Sequence, residues 1–195
     1  MVTSSSHLTS PMSLEEYLAY DVESAAHYEL VAGNLVEMPT ESPLNNAIAL
    51  LLLAHFLRFF PLPQLCHKDT EIVVTGPRTT VRLPDLMILT EVGALALRDS
   101  SRGLITGDMP PPALVVEVVS PGATNHDRDY RYKRSEYAAR GIAEYWIVDP
   151  GAAKITVLTL MQGWYEETIF QGEARLISAM VPDLELTAEQ ILEPF

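Results

Sequence analysis

Two carboxylates stand where their side chains are costly unless they have a task, and a lysine follows on a helix that could bring it to them. In "ALVVEVVS" (113–120) a single acid, Glu117, interrupts a run of valines suited to a strand covered on both faces. In "RLPDLMIL" (82–89) Asp85 sits in a second apolar strand, directly after Pro84, whose missing N–H suits a strand start, an edge or a bulge. Burying an ionised carboxylate is expensive unless something nearby is paired with it. Two such acids on neighbouring strands are explained together if they share a hard divalent cation, because Mg2+ and Mn2+ prefer carboxylate oxygen. Taken singly, each has a plainer reading. Asp85 also fits a strand-end carboxylate, and Glu117 fits half of a buried ion pair with an arginine or lysine.

Lys133 is the third element. Asp129, Lys133 and Tyr137 in "DRDYRYKRSEY" are spaced i, i+4 and i+8, which puts them on one face of a helix. An Asp–Lys pair at that spacing is also an ordinary surface ion pair. The helix begins just after the strand that bears Glu117, so its first turns lie beside that strand's C-terminal end, where ligands of open α/β sheets collect. A lysine there could orient or deprotonate a water, or stabilise charge on a scissile phosphate. The same helix carries Arg128, Arg131, Lys133, Arg134 and Arg140, five of the chain's 13 Lys and Arg residues. That density fits either a confined phosphate-binding surface or a solvated helix face.

These residues belong to a chain of 195 residues, 48% hydrophobic and 20% charged, enough to bury one ordinary core. The expected organisation is a flexible tail over 1–12 and a single domain over 13–195. The formal net charge of −13 argues against a general nucleic-acid binder but leaves room for an enzyme that grips phosphate locally. The one cysteine, Cys66, cannot form an intrachain disulfide, and "MVTSSSHLTSP" lacks a basic start followed by an apolar run. The longest apolar stretch, 47–57, is too short for a bilayer. A cytoplasmic protein without a membrane partner is expected.

The elements that must position the acids follow from capping and turn chemistry. Ser13 and Glu16 form a capping-box pattern ahead of "LEEYLAY", and 27–38 alternates about an Ala-Gly-Asn turn as a hairpin does. Pro43 opens a helix that ends before Pro61, and "FPLPQLCHKD" (60–69) reads as a Pro-rich turn region. Strands are expected over 69–76 and 79–89, joined by a turn at Gly76-Pro77, followed by a variable loop over 91–112 with room for one short helical turn. The strand at 113–120, a helix over 125–141 stopped by Gly141 and a strand at 143–150 form a parallel crossover. A meander and a short helix from Thr187 complete a mixed α/β fold.

Pro84-Asp85, then Glu117 in "VVEVVSPG", then "DYRYKRSEYAARGIAEYWIVDP" resemble a bacterial restriction-endonuclease-like family, the Uma2-type domain of the PD-(D/E)XK nuclease superfamily. The resemblance runs from "SLEEYL" to the C-terminal meander and is most specific from Glu117 to Pro150. It implies a restriction-endonuclease-like α/β core, a mixed central sheet flanked by helices, with an N-terminal helix and hairpin. It also implies phosphodiester cleavage, in DNA, dependent on Mg2+ or Mn2+, with Asp85 and Glu117 as metal ligands. The superfamily's lysine stands two residues after the second acid, which here is Val119; the matching lysine is Lys133, supplied by the following helix. The family's acid in a "YEL…G" hairpin is matched by Glu29, which either supports the site or faces solvent. Relatives carry a histidine near "SPLNNAI", where this chain has Asn45 and Asn46.

The leading expectation is therefore an endonuclease with Asp85, Glu117, Lys133 and Glu29 as its catalytic set. A homodimer is expected only because nucleases that cut both strands commonly pair subunits. The competitor is an inactive nuclease-fold protein serving as an interaction module, favoured by the net charge and by Val119; a hydrolase of smaller phosphate esters is the third reading. Tyr145 and Trp146 are expected in the core, Tyr137 as a core contact or a buttress for Lys133, and Asp149 as a turn cap. The five histidines have no metal-ligand spacing, and there is no Gly-rich phosphate loop or nucleophile elbow.

Overall fold

In the computed structural model, which describes residues 11–20, 27–76 and 78–195, local chemistry starts each element much as expected. Helix α1 (Leu14–Ala19) carries the full capping box between Ser13 and Glu16. The hairpin is β1 (Tyr28–Val31) and β2 (Asn34–Glu37), turned by Ala32 and Gly33 at φ 50° and 81°. Two positive φ values in a two-residue loop match the twist of the flanking strands. Gly33 is doubly constrained, because a Cβ there would come within 2.5 Å of Pro11. Met12, expected in the loose tail, donates its N–H to the Gly33 carbonyl at 2.7 Å and buries its side chain. Residues 1–10 of that tail, and Pro77 of the expected Gly76-Pro77 turn, lie outside the described residues.

Helix α2 (Pro43–Phe56) starts at its Ser42 cap. The region read as a turn instead holds a 3-10 turn, Leu62–Gln64, and β3 (Leu65–His67). After β4 (Glu71–Val74), the single strand expected over 79–89 is two, β5 (Thr80–Arg82) and β6 (Leu86–Ile88). The break falls at Leu83-Pro84-Asp85, where proline has no N–H to continue a ladder. Helix α3 (Glu91–Arg98), capped by Thr90, and β7 (Leu104–Ile105) occupy what was read as a variable loop. Then come β8 (Leu114–Val118), α4 (Ala123–Asp127), a π-helical turn Arg128–Lys133 and α5 (Arg134–Arg140), closed by Gly141 at φ 83°. The chain ends with β9 (Glu144–Asp149), β10 (Lys154–Met161), β11 (Trp164–Phe170) and α6 (Ala188–Leu192).

The strands form two mixed sheets rather than one, ordered β2-β1-β5-β4-β7 and β11-β10-β9-β8-β6-β3. The expected crossover holds: β8 and β9 are parallel, with Val116 opposite Trp146. Because strand side chains alternate, β8 serves two cores. Leu114, Val116 and Val118 pack with Trp146 and Val148 against α2 and α6, while Val115 and Val119 pack with Tyr137, Tyr145 and Ile147 on the face under α5. Glu117 points to this second face. Pro84 is the bend at which the chain leaves one sheet for the other, and that bend brings the hairpin sheet to the edge of the cluster around Glu117.

Candidate functional site

The answer to the buried Glu117 is Lys133. The Lys133 Nζ lies 2.8 Å from a Glu117 oxygen, and both side chains are buried. The same ammonium is 3.4 Å from Glu29 and 3.4 Å from Asp129. Tyr137 donates its hydroxyl to the other Glu117 oxygen at 2.7 Å, so it buttresses the acid rather than the lysine. The i, i+4, i+8 face read from the sequence is real, although the π turn interrupts the helix within it; such turns recur at functional sites.

Glu29 is neither solvent-facing nor part of the cavity wall. It is the β1 residue beside Leu30, which pairs with Val81, so Arg82 stands across from it. Arg82 donates from Nη1 to Glu29 at 2.8 Å and in a fork to Glu136 of α5 at 2.7 and 2.8 Å. The Leu83 N–H adds a bond to Glu29 at 3.2 Å. Arg82, 1% exposed, thus ties the hairpin sheet and α5 to the acid that touches Lys133. Its signal in the sequence was the same as that of Glu117, a charge in an apolar strand.

Asp85 precedes Leu86, which pairs with Val116, so it lies across from Glu117. Its carboxylate accepts the Val118 N–H at 2.7 Å. Asp85, Glu117 and Lys133 line one cavity of about 560 Å³, with Arg128, Ser120, Lys68 and Glu41 also on its wall. Lys68 and Glu41 carry no earlier reading; the Lys68 ammonium bonds to Glu41 at 2.5 Å and to Asn46 at 3.2 Å. Asn46, in the "SPLNNAI" stretch, lines the cavity itself and accepts a bond from Lys68. The basic cluster, by contrast, disperses. Arg131 is exposed, Arg134 pairs with Glu167 at 2.6 Å and Arg140 donates to the carbonyls of Thr106 and Met109. Only Arg128 and Lys133 of the five reach the cavity.

The charges are out of balance. Burial pushes the Glu117 carboxyl up to about 7; Lys133 pulls it back, and Asp129 and Glu29 push it further. Asp85 is also raised well above the carboxylate range, by burial and then by Glu117 and Glu41. Glu29 goes the other way: burial would raise it, but Lys133, Arg82 and Arg128 outweigh that and hold it at about 2. Burial lowers the Lys133 ammonium less than Glu117, Glu29 and Asp129 raise it, so it stays protonated. One ammonium attracts several carboxylates while each carboxylate repels the others. Proton uptake therefore falls on Asp85 and Glu117.

Among the described residues, no group of three or more His, Cys, Asp or Glu side chains is arranged to hold a metal ion. Nor is any helix among them long and apolar enough to cross a membrane. Tyr145 and Trp146 are fully buried, and Asp149 accepts the Ala152 N–H at 2.9 Å, as a turn cap should.

Among curated proteins, none matches the chain closely enough to carry a comparison. The fold is similar to the crystal structure of a "putative nuclease belonging to DUF820" from Anabaena variabilis, at a TM-score of 0.69 and 14% identity. That likeness covers 93% of this chain and 98% of the other, and supports the mixed α/β architecture. Residues 14–189 match the Uma2 family, described as "Putative restriction endonuclease". With all but its two ends inside that match, this chain belongs to the Uma2 family.

Proposed function

We propose that this chain is a metal-dependent nuclease that hydrolyses phosphodiester bonds in DNA, with Mg2+ or Mn2+ held by Asp85 and Glu117. The observation that supports this most is the buried Lys133 ammonium, 2.8 Å from Glu117, on the wall of a cavity shared with Asp85. The nuclease family and the fold of the Anabaena protein favour the same reading.

The donor set suits the cation. Two hard carboxylates with raised proton affinity and incomplete neutralisation are what a divalent ion relieves. Two acids are enough where water and phosphate oxygens complete the shell, as is usual for Mg2+. Bound there, the ion supplies Lewis-acid charge to the developing oxyanions. The chain's own residues do the rest. Lys133 remains a cation, so it donates hydrogen bonds to water or phosphate and does not abstract a proton. Glu29, Asp129 and Tyr137 hold Lys133 and Glu117 in register, and Arg128 gives the cavity a second positive wall for phosphate.

A non-catalytic interaction module has one observation in its favour: carboxylates already surround the Lys133 ammonium. The two readings separate in a manganese titration with single-stranded and plasmid DNA. Saturable Mn2+ binding and Mn2+-dependent cleavage, both lost in Asp85→Ala, support the enzyme. Intact DNA with Mg2+ and Mn2+ at high protein concentration sinks it.

A further inference from the structure

A second cavity, of about 610 Å³, adjoins the first and shares Ser42 and Ser120 with it. It sits at the C-terminal ends of the parallel strands β8 and β9, where Val119, Ser120, Asp149 and Pro150 line it. Its chemistry differs from that of its neighbour. The first cavity carries Lys68, Arg128 and Lys133 among the carboxylates of Glu37, Glu41, Asp85 and Glu117, whereas the described residues lining the second include no Lys or Arg, and one carboxylate, Asp149. A phosphate finds cationic partners in the first and none in the second.

The second cavity has instead an aromatic wall. His126 lines it, is exposed, and stacks on Tyr130 with centroids 4.2 Å apart and planes at 19°. Tyr130 covers one face of the imidazole and does not itself line the cavity, which leaves the other face of His126 uncovered by Tyr130. The stack is fixed from behind. The Tyr130 hydroxyl donates to Asp149 at 3.1 Å, and the Lys154 ammonium lies 4.8 Å from the Tyr130 ring centroid. Around this platform the wall is apolar, with Leu44, Val119, Pro121 and Pro150, and Ser120 offers a hydroxyl. A flat, neutral, weakly polar group fits such a place.

Phosphate and base alternate along a nucleic-acid strand, and here a cavity that holds three cationic side chains adjoins one that holds an aromatic side chain. We infer that the second cavity is a nucleobase subsite, in which the base next to the scissile phosphate stacks on His126. The inference rests on the nuclease reading above and extends it to substrate class. A base held there cannot be stacked within a duplex, so the favoured substrate has an unpaired nucleotide beside the cut bond.

The test uses a single-stranded tetranucleotide carrying the fluorescent base 2-aminopurine, and its abasic counterpart, titrated into the full chain without divalent metal. Stacking predicts saturable quenching, binding weakened by about 5- to 100-fold in His126→Ala, and recovery in His126→Trp. The abasic strand should bind the unmodified protein about as weakly as the fluorescent one binds His126→Ala. Equal affinity of both strands, or of His126→Ala and the unmodified protein, overturns the subsite. Manganese-dependent cleavage run in parallel separates the two proposals. Cleavage indifferent to the base and to His126 overturns the subsite and leaves the nuclease. Base-dependent binding with no cleavage of any strand supports the subsite and removes the nuclease.

Discussion

Two buried glutamates stand at opposite ends and on opposite faces of the parallel pair β8 and β9. Glu144, fully buried, is met among the described residues by neutral donors: the Trp146 indole at 2.6 Å, the Ser178 hydroxyl at 2.5 Å and the Ala179 N–H at 2.8 Å. It lines neither of the two cavities described above. Glu117 is met by an ammonium and a phenol, shares its ammonium with two other acids, and opens to a cavity beside a fourth. The pair teaches that burial of an acid is not a functional sign in itself. Glu144 has its lone pairs matched and ties a loop to the sheet; Glu117 carries a local surplus of negative charge that the chain leaves uncompensated.

The sharpest way to break this contrast is to neutralise each acid in turn. Glu117→Gln should keep the fold, by circular dichroism, and lower metal-dependent cleavage by about 10³-fold. If that variant fails to fold, Glu117 is as structural as Glu144. Next in size is Arg82→Ala, which strands Glu29 and Glu136 without their guanidinium. It should cost about 3–5 kcal/mol, seen as a fall in Tm on the order of 10 °C. An unchanged Tm would mean that the clamp on Lys133 is dispensable. Glu144→Gln leaves one buried donor unmatched and should cost about 1–3 kcal/mol in denaturant unfolding, with cleavage per folded molecule retained. Lost cleavage there would erase the distinction between the two acids.

The smallest effect is a pH dependence, and its sign discriminates. The folded Glu117 carboxyl is raised from 4.5 to about 7, so its contribution to stability is complete below 4.5 and is lost as pH rises through 7. The Tm of metal-free Glu117→Gln should therefore gain on that of the unmodified protein across this window. If Asp85 and Glu117 hold the ion as proposed, the apparent affinity for Mn2+ should rise with pH over the same range, because binding would displace their protons. A flat difference in Tm would show Glu117 to be a settled ion-pair member.

Much of this was legible locally. The capping box at Ser13, the Ala-Gly hairpin, the Gly141 helix stop and the parallel crossover follow from residue types within a few positions of one another. So did the singularity of Glu117 and Asp85, because a charge in an apolar strand is visible without a fold. Other features were not legible. The strand over 79–89 breaks at Pro84 because its halves join different sheets, and nothing in "TTVRLPDLMIL" states which sheet each will join. The π turn at 128–133 has no residue signature. The dense basic run fitted a phosphate-binding face or a solvated one, and helix geometry sends Arg134 and Arg140 to unrelated partners.

What the sequence determined alone is that two acids would sit in apolar stretches at a cost and that a helix with Lys133 would start beside one of them. That follows because burial and helical spacing are properties of short stretches. Tertiary structure alone decided the partners: that Lys133 would meet Glu117, Glu29 and Asp129 together, that Arg82 would hold Glu29, and that His126 would stack beside the cavity. Charges interact through space over a few ångströms, and residues 29, 82, 117 and 133 become neighbours only after two sheets and a helix have packed.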